Sequence, residues 1–206
     1  MQEYLTVETE SVDEFEEKRS RFICYVKPVK TKEEAADFIA SIKQKHWDAK
    51  HNVSAYVLRD GDIKRYSDDG EPQGTAGMPV LDVIVKQGVT DVCVVVTRYF
   101  GGILLGAGGL VRAYSHGASL ALQAGNVIKM ITFEDFSLSM DYNMYGRVPA
   151  MIASHGGKVI DSDFADVVNI TYSVPEDEVA ALNAEMTEFS AGKLTPQSNG
   201  VHFAKE

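Results

Sequence analysis

Cysteine, long apolar runs and early basic charge are all scarce in this chain. Cys24 and Cys93 are the two cysteines in 206 residues, and there is no CxxC pair. Both lie in apolar, strand-like runs, so they are expected to be buried reduced thiols without a disulfide or metal role. No apolar stretch reaches the ~18 residues of a membrane span. The opening MQEYLTVETE is acidic and has no apolar signal core. A cytoplasmic protein with no membrane partner is the expectation. The first 17 residues carry seven acidic side chains and no basic one. Residues 131–206 hold 4 basic and 12 acidic side chains, whereas residues 18–130 hold 16 basic and 11 acidic. The net charge of −10 argues against indiscriminate nucleic-acid binding, which needs phosphate neutralisation. It leaves room for a local basic patch on the middle of the chain.

What is present reads as two successive α+β patterns, divided at residues 1–130 and 131–206. In the first, 4–10 and 21–29 have the β-branched and aromatic content of strands. Residues 30–47 read as a helix, with Thr31 and Glu34 spaced as a capping box. VSAYVL and IKRYS flank Asp60-Gly61 as a hairpin, and 67–77 is an aperiodic loop. A short helix is expected over 78–88, a central strand buried on both faces over 91–100, and a helix over 108–125 closed by Gly125. In the second, a strand (131–142), a helix (143–156), two strands (158–166 and 167–174), a helix (175–192) and a last strand (193–203) follow one another. That βαββαβ order in a short span is the ferredoxin-like pattern.

Three stretches carry candidate chemistry. TRYFGGILLGAGGLVRAY places Gly101, Gly102, Gly106, Gly108 and Gly109 between Arg98 and Arg112. Amides at a helix start attract anions, and arginines add charge-assisted contacts. The spacing matches neither GxGxxG nor GxxxxGK[ST], so tight packing of helix on strand remains an equal explanation. SDDGEPQGTAGMP offers Asp68, Asp69 and Glu71 as acid/base or polar groups. Its Gly74 and Thr75 form a second glycine-rich helix start, with Thr75 the expected cap. The acidic trio lacks metal-site spacing, and no metal or cofactor is expected. DAKHNVSAY offers His51 and Asn52, beside Lys43, Lys45, His46, Lys50, Lys64 and Arg65. This basic group reads either as solvated surface or as a face for RNA phosphates, with Trp47, Tyr56 and Tyr66 available for stacking.

EKRSRFI, AKHNVSAYV, SDDGEPQGTAGMPVLDVI and VVVTRYFGGILLGAGGLVRAYSHGASLAL, taken in that order, closely resemble the YigZ/IMPACT family over about residues 15–125. The Arg-aromatic-aromatic-Gly-Gly core of Arg98, Tyr99, Phe100, Gly101 and Gly102 looks like its signature. The acidic C-terminal part resembles the small ferredoxin-like domain that bacterial members append. The resemblance implies an N-terminal domain like the second domain of ribosomal protein S five, a mixed sheet with helices on one face. It also implies a link to translation, since the eukaryotic relatives act in translation control. Many relatives have Cys after the His-Asn pair. Here Val53 stands there, which counts against thiol catalysis.

The leading expectation is a translation-associated regulator that binds RNA or the ribosome. Arg98, Tyr99, Phe100, the five glycines, Arg112, His51, Asn52, Gly74 and Thr75 would form its anion surface. One rival is a small-molecule enzyme, phosphate-handling or hydrolytic, with its site at His51 and the two glycine-rich loops. Another is a regulator that meets a protein partner through the acidic C-terminal domain. A monomer or weak oligomer is expected.

Overall fold

The computed structural model describes residues 3–206, and the chain divides into two compact units, one of Tyr4–Lys129 and one containing Met130–Glu206. In the first unit, runs rich in Val, Ile and aromatics form β1 (Tyr4–Val7), β3 (Ser20–Pro28), β4 (His51–Leu58), β5 (Ile63–Ser67) and β6 (Val92–Tyr99). β2 (Ser11–Glu17) has no such signature, since its residues are exposed except Ser11 and Phe15, which are half-buried. Between the strands run α1 (Lys32–Lys45), α2 (Gly77–Lys86) and α3 (Ala107–Ala124). Thr31 caps α1 through Glu34 N–H at 3.1 Å, and the Glu34 carboxylate reaches back to Lys30 N–H at 2.6 Å.

Five strands form a sheet in the order β2-β3-β6-β4-β5. Each neighbouring pair is antiparallel, which corrects the mixed sheet implied by the family resemblance. β6 inserts between β3 and β4, so those two parallel strands never touch. The helices also cover both faces, not one. Successive side chains of a strand point to opposite faces. Val92, Val94 and Val96 pack with α2 and α3 through Val80, Ile84, Leu110 and Ala118. Cys93 and Val95 pack with α1 through Ala35, Phe38 and Ile42. The uninterrupted apolar run of β6 is the consequence. Both cysteines are buried and free, and burial pushes each thiol up to about 12.

The second unit runs β7 (Val127–Met140), α4 (Tyr142–Tyr145), α5 (Val148–Ser154), β8 (Lys158–Phe164), β9 (Val168–Pro175), α6 (Val179–Ser190) and β10 (Gln197–Lys205). Its antiparallel strands lie in the order β10-β7-β9-β8, the ferredoxin-like arrangement. Phe136, Leu138, Ile170 and Tyr172 meet Met151, Ile152, Leu182 and Met186 in its core. The single helix expected over 143–156 is two pieces, because Pro149 has no N–H to continue the first ladder. No helix among the described residues is long and apolar enough to cross a membrane.

Candidate functional site

Four connections gather at one end of the first unit's sheet. They are the β2–β3 turn, the α1–β4 segment, the β5–α2 loop and the β6–α3 loop. Register fixes this, because Arg21 pairs with Tyr99 and His51 pairs with Arg98. The closest packing there is at Gly101. A Cβ on it would stand 1.9 Å from the Arg19 carbonyl oxygen, so only glycine fits against the turn.

The alternation of β6 then sends its polar residues to two different faces. Arg98 follows Val96 to the face of α2 and α3, directly across from His51. Arg98 is 5 % exposed. It donates from Nη1 to Glu71 Oε1 at 2.7 Å and from Nη2 to Ser20 Oγ at 3.3 Å. The rings of Phe22 and Phe100 flank it at 5.6 and 5.5 Å. Glu71 is itself buried, and its Oε1 also accepts from the Tyr114 hydroxyl at 2.8 Å. Burial, then the Glu71 charge, raises the Tyr114 pKa strongly, so the hydroxyl stays a donor. His51 Nδ1 lies 2.9 Å from the Asp69 carbonyl oxygen. A carbonyl only accepts, so Nδ1 carries hydrogen and Nε2 of the neutral ring is an acceptor. Nε2 stands 3.9 Å from Glu71 Oε2.

On the opposite face, Asn52 Oδ1 accepts from Thr97 Oγ1 at 2.7 Å. Tyr99 gives its proton to Asp48 Oδ1 at 2.9 Å and so accepts from His46 Nδ1 at 2.9 Å. His46 Nε2 therefore accepts from Tyr25 at 2.7 Å. Burial, then neighbouring Lys45, lowers the His46 pKa, consistent with this neutral ring. The pairs expected to share a site, His51 with Asn52 and Arg98 with Tyr99, are thus split across the sheet. Strand alternation is the signal that separates them. It would also have pointed to Ser20, which follows Phe22 and Cys24 to the Arg98 side. Nothing local in the sequence marks Tyr114 or His46.

The two glycine-rich helix starts differ. Asp68 Oδ1 accepts from Ala76 N–H at 3.1 Å and Gly77 N–H at 2.8 Å, and Oδ2 accepts from Gly74 N–H at 2.9 Å. Asp68, not Thr75, is the cap of α2; the Thr75 hydroxyl donates to Pro72 O at 2.7 Å. The anion role expected of Gly74 and Thr75 is filled by the chain's own carboxylate. Asp69 is likewise engaged, accepting from Lys43 at 2.6 Å and from Asn52 N–H at 2.7 Å. The start of α3 has no such cap among the described residues. Gly106 sits there at φ 74° without a side-chain hydrogen bond, and Gly102, Gly106 and Gly108 are exposed while Gly109 is half-buried. Arg112 is exposed and, among the described residues, has no ion pair. It lines a cleft of about 400 Å³ with Phe15, Lys18, Gly109 and His116, to which Glu16 and Glu17 add opposite charge. Arg98 and Arg112 therefore do different things. Among the described residues, no three His, Cys, Asp or Glu side chains gather as a metal ion would need.

Residues 18–122 match the Impact N-terminal domain, and residues 138–193 match a domain of unknown function, DUF1949. The IMPACT family member YvyE of Bacillus subtilis is 40% identical over 211 residues, covering 98% of this chain and 97% of that protein. The IMPACT family member YigZ of Escherichia coli is 37% identical over 86% of this chain and 88% of that protein. Protein IMPACT of Mus musculus is 35% identical over 94 residues, which are 44% of this chain and 30% of that protein. A crystal structure described as that of a hypothetical protein superposes with a TM-score of 0.61 at 34% identity, covering 97% of this chain and 98% of that one. With both domain types present and relatives matched along almost its whole length, the chain belongs to the IMPACT family.

Proposed function

We propose a translation-related role in which the first unit contacts RNA or the ribosome through the uncapped start of α3. The translation link comes from family membership. The surface is argued from this chain's own residues. The single observation that carries it is the pairing of an uncapped helix start, exposed from Gly106 to Gly108 and half-buried at Gly109, with an exposed Arg112 that has no ion pair among the described residues. Helix-start amides favour phosphate oxygens, and an arginine one turn on can hold the same or the next phosphate. Lys18 in the same cleft and Arg19 on the neighbouring turn add positive charge. Exposed Trp47, Phe100 and Leu104 near this end of the sheet supply apolar surface for unstacked bases.

Arg98 has no part in this contact, because it is buried and its Nη1 and Nη2 donate to Glu71 and Ser20. The test is filter binding to a structured RNA over a salt series. Affinity should fall with salt, and Arg112→Ala should weaken binding and reduce the log–log slope by about one. Salt-independent binding, or an unchanged slope in Arg112→Ala, would overturn the reading.

A further inference from the structure

The His51–Glu71 pair has no part in holding phosphate at the start of α3, yet both side chains are held in place. His51 is fixed in one tautomer by the Asp69 carbonyl at 2.9 Å. Glu71 is fixed by Arg98 at 2.7 Å and Tyr114 at 2.8 Å, all through Oε1. Its other oxygen stands 3.9 Å from His51 Nε2, beyond hydrogen-bond reach. In the neutral state both atoms are acceptors, so they do not satisfy one another. Nε2 makes no hydrogen bond among the described residues and is left as the open acceptor of the ring. A ring held in one tautomer with an unengaged acceptor nitrogen is the arrangement general-base catalysis requires.

We propose that His51 is a general base acting on the 2′-hydroxyl of a bound RNA chain, with Glu71 and Asp69 as positioning residues. This rests on the RNA-binding reading above. An RNA strand brings its own hydroxyl beside each phosphorus, so no second reactant is required. His51 Nε2 takes the 2′-hydroxyl proton. The 2′-oxygen–phosphorus bond forms and the phosphorus–5′-oxygen bond breaks. The departing 5′-oxygen takes a proton from water, and the imidazolium returns its proton to the hydroxide left behind. The products are a 2′,3′-cyclic phosphate and a 5′-hydroxyl, with no net gain or loss of atoms. Gly108 and Tyr114 are six residues apart on α3, which at 1.5 Å per residue is about 9 Å along the helix axis between the open amides and the residue that anchors Glu71.

The experiment uses the full chain and a 5′-labelled RNA hairpin with single-stranded tails, reading binding and cleavage separately. Wild-type protein should bind the RNA and cut it slowly, leaving 2′,3′-cyclic phosphate ends. His51→Gln, whose amide can still donate to the Asp69 carbonyl, should melt at the same temperature and cut bound RNA about 100-fold more slowly at saturating protein. An RNA methylated on its 2′-oxygens should be bound by wild-type protein and left intact, a comparison that needs no protein variant. RNA that is bound but never cut, cutting that survives His51→Gln, or cutting of the methylated RNA would each overturn this inference while leaving the binding reading standing. RNA that is not bound at all would overturn both.

Discussion

The starts of α2 and α3 look alike as sequence, each a glycine-rich loop running into a helix, and they end up in opposite states. At α2, Asp68 bonds three amides of the start, those of Gly74, Ala76 and Gly77. At α3, which starts after Gly106, no side chain among the described residues bonds an amide of Gly106–Gly109. The arginines flanking the second loop divide in the same way. Arg98 is buried on Glu71, and Arg112 is exposed with no partner among the described residues. A helix start is open to an external anion only where the chain supplies no carboxylate of its own. Glycine content says nothing about which case applies.

The strongest way to break this contrast is at the arginines. Arg98→Ala leaves Glu71 buried beside Tyr114 without its counter-charge, and removing one partner of a buried ion pair costs roughly 3–5 kcal/mol. Arg112→Ala removes an exposed side chain and should change stability by no more than about 0.5 kcal/mol. Urea denaturation of both variants checks this. Equal losses would mean that Arg98 is not the structural partner of the two.

Much of the framework was readable in advance because periodicity and caps act locally. The β6 run, the Asp60-Gly61 hairpin, the Thr31 cap of α1 and the βαββαβ order of the second unit all follow from short-range patterns. β2 was not readable, since its one inward aromatic, Phe15, stacks on Phe22 of the next strand while four of its other residues are exposed acids. The candidate site was readable only as a set of loops. Which residues meet depends on strand register and face, so Arg98 joined His51 and Glu71 while Asn52 and Tyr99 went to the other side. The capping of α2 by a residue eight or nine positions upstream depends on how the loop folds back, and no spacing rule announces it.

The next largest effect should come from making α2 resemble α3. Asp68→Ala strips the cap, at about 1–2 kcal/mol. It should also create an anion-accepting helix start, so sulfate should raise the melting temperature of the variant more than that of the wild type. An identical sulfate response would sink the idea that the carboxylate alone closes that start.

pH offers a gentler comparison, between the two units. His46 in the first has a pKa lowered by burial and Lys45. Its contribution is complete above the unfolded value of about 6.5 and is lost as pH falls through the lowered folded one. His155 in the second lies 2.6 Å from Glu178 and 2.9 Å from Glu185, and those hydrogen bonds raise its pKa. Its contribution is complete below about 6.5 and is lost as pH rises through the raised folded value. Amide hydrogen exchange resolved by unit, between about pH 5 and 8, should show opposite slopes. His155→Gln should flatten the second. Parallel slopes would count against both assignments.

The smallest effect tests the α3 start itself. Gly108 has an ordinary negative φ, and an added Cβ would meet nothing closer than the Arg112 Nη1 atom at 3.6 Å. Gly108→Ala should therefore gain about 0.5 kcal/mol by restricting the unfolded chain, while its N–H remains available to a phosphate oxygen. RNA affinity should stay unchanged, or fall only as far as the new methyl group crowds Arg112. If the variant is stabilised yet binds RNA many-fold more weakly with the salt slope intact, the methyl group is obstructing close approach of the RNA to the helix start. If affinity is untouched while Arg112→Ala lowers the slope, the glycine serves the backbone and the arginine serves the phosphate. That division of labour is the one the uncapped, exposed start of α3 leads us to expect.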